Sequence, residues 1–279
     1  MALLLALLSA IFYGTADFLG GFAARRAPAL AATAWAQGIG LVVVLLALPL
    51  FPAPFPGAAG VLWSVAAGLT GGLAVALLYY GFAVGRVSVV APITAVCSIT
   101  IPVVVAMGLG ERPGPLALAG IAVAVASVGL ISRHDDPAEK AKGRDRSVAI
   151  GLACGAVVGA FFVCLARAGS ASGVWPLVIA RLASTLALAA TTRIAGIPVA
   201  LPRGVLSVVV ACGVLDMVAN ALYLIAVRDG PLGLVATLAS LYPASTVLLA
   251  RVVLRERLQP IQSIGLACAA AAIVLITSR

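Results

Sequence analysis

Charged residues are scarce in this sequence of 279 residues, of which only 10% are Asp, Glu, Lys or Arg. Soluble globular domains carry about 25% charged residues, so the composition excludes an ordinary soluble domain. Hydrophobic residues make up 63% of the chain, and its mean hydropathy is +1.19. These values predict an all-α integral membrane protein, for which the lipid bilayer is the surrounding partner.

Histidine occurs once, as His134, and it lies outside every long apolar run. An intramembrane enzyme needs a nucleophile with a base, or a metal cluster, so we disfavour catalysis and expect no metal site. The sequence has no Walker loop or other nucleotide-binding motif, which argues against direct use of ATP and against a bound cofactor. The five cysteines fall inside apolar runs without paired spacing, as is typical of packing residues.

Acidic residues are half as frequent as basic ones, with 9 Asp and Glu against 18 Lys and Arg. In a soluble domain this excess would suggest nucleic acid as a partner, but in a membrane protein it marks the cytoplasmic loops. Twelve basic residues fall on one face of the membrane and four on the other. The positive-inside rule then places both termini outside and leaves no role for nucleic acid.

Long apolar runs are abundant, and ten of them approach the roughly 20 residues that a helix needs to cross a bilayer. Gly, Pro and Arg separate the runs. We predict ten transmembrane helices over approximately 3–23, 30–51, 60–82, 86–109, 115–132, 148–168, 172–194, 203–226, 231–252 and 259–277.

The chain contains an internal repeat with an offset of 145 residues. The residues Glu111, Arg112, Pro115 and Gly120 recur as Glu256, Arg257, Pro260 and Gly265. Each copy holds five predicted spans, and an odd number reverses the orientation of the second copy, so we predict two inverted five-helix repeats. The repeats occupy residues 1–132 and 148–279, joined by a charged connector over 133–147.

Ionisable residues inside predicted spans are candidate site residues, since burying them in a bilayer is costly. Arg181 and Asp216 lie near the middle of the seventh and eighth spans and are expected to pair. Asp216, Asn220 and Tyr223 follow i, i+4, i+7 spacing, which puts them on one helix face. The residues are interpreted either as a substrate site, in which Arg181 meets an anionic group, or as an ion pair that fixes the two helices.

Asp17 and several aromatic or amide side chains complete the candidate set. Asp17 lies inside the first span, where it is either a proton-coupling carboxylate or a side chain that reaches the interface. Asp216 is a second coupling candidate. The remaining substrate-binding candidates either line a cavity or anchor the helices at the membrane surface, and they are Trp35, Gln37, Tyr79, Tyr80 and Tyr242.

The segment from Tyr242 to Gly265 resembles the end of a repeat in the EamA-type branch of the drug/metabolite transporter superfamily. A proline in the helix, Pro243, is followed by an aliphatic run, then by Glu256-Arg257 and by the glycine that starts the closing helix. Arg181 corresponds to the membrane arginine of that family. The first copy departs from the pattern, with Ser98 at the proline position and Gln37 at the arginine position.

This resemblance covers the whole chain and implies ten spans in two inverted sets of five. It also implies that both termini are cytoplasmic, in contrast to the distribution of basic residues. We hypothesise a secondary transporter in the plasma membrane that exports a small metabolite by alternating access, with proton coupling through Asp17 or Asp216. A lipid-linked-sugar flippase of the same fold is the alternative, and an intramembrane enzyme is less favoured. We expect a monomer or a homodimer.

Overall fold

A computed structural model describes residues 1–84, 87–131, 144–169, 171–242, 244–245, 249 and 260–277. Within these ranges the chain forms ten α-helices and one short 3-10 helix, and no β-strand occurs. The predicted all-helical fold of ten helices is confirmed. The helices are α1 (Ala2–Ala24), α2 (Ala29–Ala47), α3 (Ala58–Val84), α4 (Val87–Gly108), α5 (Pro115–Ile131), α6 (Arg144–Arg167), α7 (Trp175–Ile194), α8 (Arg203–Asp229), α9 (Leu232–Ala239) and α10 (Pro260–Thr277).

Length and composition allow six of the described helices to cross a membrane by themselves, namely α1, α2, α3, α6, α7 and α8. Shorter apolar stretches occur in α4, α5 and α10. Every peptide group in a bilayer must find its hydrogen-bond partner within the protein, and a helix supplies that partner locally. The chain is therefore a multi-pass membrane protein.

The ninth predicted span is interrupted in the structure. The sequence predicts one run over 231–252, whereas α9 ends at Ala239 and the next two residues form a turn. The Ser240 N–H still donates to the carbonyl of Ala236, but the Leu241 N–H donates to the carbonyl of Leu238 at 3.2 Å, so the regular α-helical ladder ends at this point. Pro243, Glu256 and Arg257 lie outside the described residues, as does most of the charged connector.

The packing of the helices follows the repeat. Contacts between α1 and α8 correspond to those between α6 and α3, and contacts between α2 and α8 correspond to those between α7 and α3. The pairs α2 with α7 and α5 with α10 each join corresponding helices of the two repeats. This exchange of partners is what a two-fold relation between inverted repeats produces.

Small residues allow close approach between helices of the two repeats. A Cβ added at Gly159 of α6 would lie 2.7 Å from the Cβ of Ile101 in α4. A Cβ added at Gly68 of α3 would overlap the backbone carbonyl of Ala180 in α7. These glycines belong to ladders of four-residue spacing, formed by Gly151, Gly155 and Gly159 in α6 and by Gly68 and Gly72 in α3. The ladders therefore serve contacts within one chain, where lipid supplies no hydrophobic force between helices.

Loops from both repeats meet at one end of the bundle, which we call the Trp175 end and define by residues 51–57, 168–169, 171–174 and Arg228. The Trp175 indole N–H donates to the carbonyl of Ala53 at 3.2 Å, and its ring packs edge-on against Phe55. The Arg228 guanidinium donates to the carbonyl of Gly173. These contacts tie the loop after α2 to the start of α7, and the end of α8 to the loop before α7.

Candidate functional site

A cavity lies between the two repeats, and its empty volume is about 730 Å³ with the open space at its mouth included. Helices α1, α2 and α3 of the first repeat and α6, α7 and α8 of the second contribute to its wall. Its polar lining consists of Asp17, Gln37, Arg181, Ser184, Asp216 and Asn220. Binding sites of inverted-repeat transporters lie at such a repeat interface near the middle of the membrane.

Arg181 is the centre of a hydrogen-bond network that crosses from α7 to α2 and α8. Its guanidinium donates to the side-chain oxygen of Gln37 and forms a salt bridge with Asp216. The Ser184 hydroxyl donates to the same Gln37 oxygen at 3.1 Å. The guanidinium also passes over Gly40, where an added Cβ would lie 3.2 Å from Nε. Arg181 is only 6% exposed, so its charge is satisfied inside the protein.

Asp216 is held on both sides of its carboxylate. One oxygen accepts from Arg181, and the other accepts from the Asn220 side-chain amide at 3.3 Å. The same amide donates to the Asp216 backbone carbonyl at 2.7 Å. The predicted pairing of Arg181 with Asp216 is thus present, and Asn220 supports it from one helical turn away.

Asp17 faces the cavity from α1 without a partner. Among the described residues, no hydrogen bond or salt bridge to its carboxylate is present. The side chain is half-buried and lines the same cavity as the Arg181–Asp216 pair. Since that pair is neutral overall, Asp17 is the one carboxyl group of the described cavity lining that no basic side chain neutralises.

Aromatic rings form an apolar wall of the cavity. Phe162 packs against Phe161 and Tyr13, with ring centroids 5.4 Å and 6.1 Å apart, respectively. Tyr242 also lines the cavity. The Tyr13 hydroxyl is buried and has no hydrogen-bond partner in the described part of the chain.

Two predicted tyrosines pack outside the cavity. Tyr223 is fully buried and donates its hydroxyl to the carbonyl of Phe162 at 3.1 Å. Tyr223 shares the helix face of Asp216 but lies about 10 Å further along the axis of α8, and this separation places it in the core beyond the cavity. The Tyr79 hydroxyl lies 3.6 Å from the Cys212 sulfur. It fills the space above Gly20, where no Cβ would fit.

Two further candidates lie on the outer surface of the bundle. Trp35 is 43% exposed, and its indole N–H donates to the carbonyl of Val199 at 2.8 Å. Tyr80 is 42% exposed. Neither residue is part of the cavity wall. The contact of Trp35 with the loop after α7 matches the alternative of an anchor near the membrane surface.

The comparison with protein families agrees with the repeat. The model of the EamA-like transporter family matches twice, over residues 1–133 and 146–278. The chain belongs to the EamA-like transporter family. It is accordingly a membrane transporter of the drug/metabolite transporter superfamily.

A search of the solved structures supports the fold of this EamA-like chain. A crystal structure titled only "Crystal structure of protein" superposes with a TM-score of 0.78. The alignment has 18% sequence identity and covers 99% of this chain and 96% of the other chain. Nothing among the curated proteins matches the sequence.

Sequence reasoning on the EamA-like chain missed Tyr13, Phe161 and Phe162 as cavity residues. The repeat offset contained a signal for one of them, because Asp17 corresponds to Phe162 at a separation of 145 residues. Both residues line the cavity, from α1 and α6. Tyr13 lies four residues before Asp17 and therefore on the same helix face. Applying the 145-residue offset to Asp17 would have identified Phe162 in the aromatic wall of the cavity.

Proposed function

We propose that this protein is a secondary transporter that exports a small molecule by alternating access through the cavity between its repeats. The observation that carries the proposal is the cavity itself. It is lined by helices of both repeats and contains charged groups from α1, α7 and α8. Rocking of two inverted units about such a site exposes it to one side of the membrane and then to the other.

The contacts at the Trp175 end support this mechanism. At the start of α7, the Trp175 indole N–H donates to the carbonyl of Ala53 in the loop after α2. At the end of α8, the Arg228 guanidinium donates to the carbonyl of Gly173 in the loop before α7. Alternating access requires contacts of this kind to form in one state and to break in the other. We infer that the Trp175 end is closed in the conformation described here and opens during the transport cycle.

The arrangement of the carboxylates favours Asp17 as the coupling group. Both oxygens of Asp216 have partners in Arg181 and Asn220, so protonation of Asp216 would break existing interactions. Asp17 has no such partner among the described residues and faces the cavity. We propose that Asp17 exchanges a proton during transport, whereas Asp216 positions Arg181.

The cellular setting follows from the same reasoning. Excess basic residues on one membrane face mark that face as cytoplasmic, an orientation that is compatible with the plasma membrane. We propose this location and export from the cytoplasm. The glycine ladders are already occupied by contacts within the chain, which favours the monomer over a dimer built on those ladders.

One observation favours the flippase alternative. An apolar crevice with about 460 Å³ of empty volume, open space included, lies beside the main cavity. It shares Gly72 and Ser184 with that cavity, and an added Cβ at Gly72 would lie 3.0 Å from the Ser184 Cβ. If the contact between α3 and α7 opened, a lipid-linked substrate could enter from the side.

The test is an untargeted analysis of metabolites in the medium of cells that overproduce the protein. Wild type is compared with Asp17→Asn and with Asp229→Asn at matched expression levels. Asp229 is an exposed carboxylate at the end of α8, so it controls for loss of a negative charge elsewhere. We expect one class of compound to accumulate outside with wild type and Asp229→Asn, and not with Asp17→Asn.

Each other outcome has a defined meaning. Equal accumulation with Asp17→Asn keeps export and removes Asp17 from the mechanism. A medium identical to that of cells without the protein contradicts export. A change confined to lipid-linked sugars in the outer leaflet supports the flippase.

A further inference from the structure

We propose that Tyr13 and Asp17 form a subsite on α1 that binds the protonated amine of an organic cation with an apolar or aromatic body. The inference rests on the proposed function, because it names the substrate class of the same cavity. It concerns recognition, which can be measured separately from transport.

The charges in the cavity favour a cationic ligand over an anionic one. Arg181 donates to Gln37 and Asp216 and is 6% exposed, so an anionic substrate would have to displace one of those partners. Asp17 is the remaining ionisable group in the described lining, and its carboxyl group has no described partner. An unpaired charge away from water is costly, and a cation beside it removes that cost.

The Tyr13 hydroxyl supplies a second hydrogen-bond acceptor for the ammonium group. It is a buried polar group without a hydrogen-bond partner in the described part of the chain, and Tyr13 is 9% exposed. A buried hydroxyl that stays unsatisfied costs free energy. Tyr13 and Asp17 lie four residues apart on α1, where neighbouring side chains start about 5–6 Å apart. A single ammonium group can donate one N–H to the carboxylate and another to the phenol oxygen.

The aromatic wall defines the rest of the ligand. Phe161 and Phe162 line the cavity, and the Phe162 ring packs edge-on against Tyr13 with centroids 6.1 Å apart. Ring faces attract cations and pack well against flat apolar groups. The subsite therefore fits an amine joined to an aromatic or aliphatic group by a short linker. A carboxylate on the same molecule would have no free basic partner among the described residues of the cavity.

Four probes with one phenyl group and different charges test this inference. They are 2-phenylethylammonium, its N,N,N-trimethyl analogue, the neutral 2-phenylethanol and the anionic 3-phenylpropionate. Calorimetric titration of the purified full-length protein measures their dissociation constants. We expect both cations to bind at least about tenfold more tightly than the alcohol or the carboxylate, a ratio that one charge-assisted interaction supplies.

Variants separate the two members of the subsite. Asp17→Asn should weaken both cations by about tenfold or more, whereas Asp229→Asn should leave them unchanged. Tyr13→Phe should weaken the primary ammonium by about tenfold and the trimethyl cation by less than about twofold, because the trimethyl cation has no N–H to donate. The trimethyl probe thus reports whether Tyr13→Phe leaves the cavity intact.

The inference is overturned if the carboxylate binds as tightly as the ammonium, if Asp17→Asn retains cation affinity, or if neither cation binds at millimolar concentration. Equal loss of both cations in Tyr13→Phe would remove Tyr13 from the subsite. If the binding experiments overturn the subsite while a compound still accumulates in the medium of cells that overproduce the protein, the proposed substrate class is wrong and export stands. Cation binding without any exported compound keeps the subsite and contradicts export.

Discussion

Gln37 of α2 accepts a hydrogen bond from Arg181 of α7, so the corresponding helices of the two repeats are joined at the cavity by unlike residues. An arginine in both copies would place two positive charges side by side. The neutral amide instead lets one arginine satisfy Gln37 and Asp216 together. The unequal halves expected from the sequence therefore have a physical reason, which is the charge balance of one shared network.

The first prediction concerns the stability of this network. Asp216→Asn leaves Arg181 buried without its counter-charge, and breaking a buried ion pair costs about 3–5 kcal/mol. We expect a lower unfolding temperature for Asp216→Asn in detergent, and little change for the exposed control Asp229→Asn. Replacing both partners by apolar residues in Arg181→Met with Asp216→Leu should recover much of the loss. An Asp216→Asn protein as stable as wild type would show that the pair is not needed for folding.

The second prediction concerns the contact between α3 and α7. A methyl group at Gly68 would overlap the backbone carbonyl of Ala180, whereas a Cβ at Gly21 of α1 meets nothing within 4 Å. Gly68→Ala should therefore lower stability by about 1–3 kcal/mol through overpacking. Gly21→Ala should have no cost or a small gain, since Ala favours helix more than Gly. Thermal unfolding of the two variants measures the difference, and equal stabilities would contradict the described packing.

The third prediction concerns Glu111, which links the end of α4 to the start of α9. Its two carboxylate oxygens accept from the backbone N–H groups of Leu232 and Gly233 at 2.7 Å and 3.1 Å. Glu111→Gln can keep only one acceptor, so we expect a loss of about 0.5–2 kcal/mol at this helix start. Hydrogen exchange should become faster in residues 232–239, and Arg112→Gln serves as the neighbouring control. Unchanged exchange in α9 would argue against the cap.

The fourth prediction concerns orientation. The positive-inside rule puts the loop that contains Pro54 outside and the loop that contains Val199 in the cytoplasm. A membrane-impermeant maleimide should label Pro54→Cys in intact cells and Val199→Cys only after the cells are broken. The five native cysteines lie in described helices and are buried or half-buried, so they should give a low background. The reverse labelling pattern would support the cytoplasmic termini that the family resemblance implies.

The sequence predicted most of the fold, because a bilayer places simple demands on a chain. Nine of the ten predicted spans agree closely with helices of the structure. For α9 the apolar run continues past Ala239, and hydropathy alone does not register the change to an i→i−3 hydrogen bond at Leu241. The boundaries at 132 and 148 stay a prediction, since the connector lies largely outside the described residues.

The site was less predictable than the fold. Arg181 and Asp216 could be found because a charge inside an apolar run is conspicuous. Tyr13 and Phe161 could not, since an aromatic residue in a membrane helix packs in the core, at the surface or in a cavity with the same sequence pattern. Tyr79 illustrates the difficulty, because only the three-dimensional position of Gly20 decides where its ring goes.

The most direct test of the central claim uses the purified protein alone. Liposomes that contain the protein are loaded with a small-molecule extract of cells, and the external solution is analysed over time by mass spectrometry. The account predicts release of a limited set of compounds from liposomes with wild type or Asp229→Asn, and none above background with Asp17→Asn. Release equal to that from loaded liposomes without protein would contradict transport. If Asp17→Asn released the compounds as fast as wild type does, Asp17 would have no role in transport.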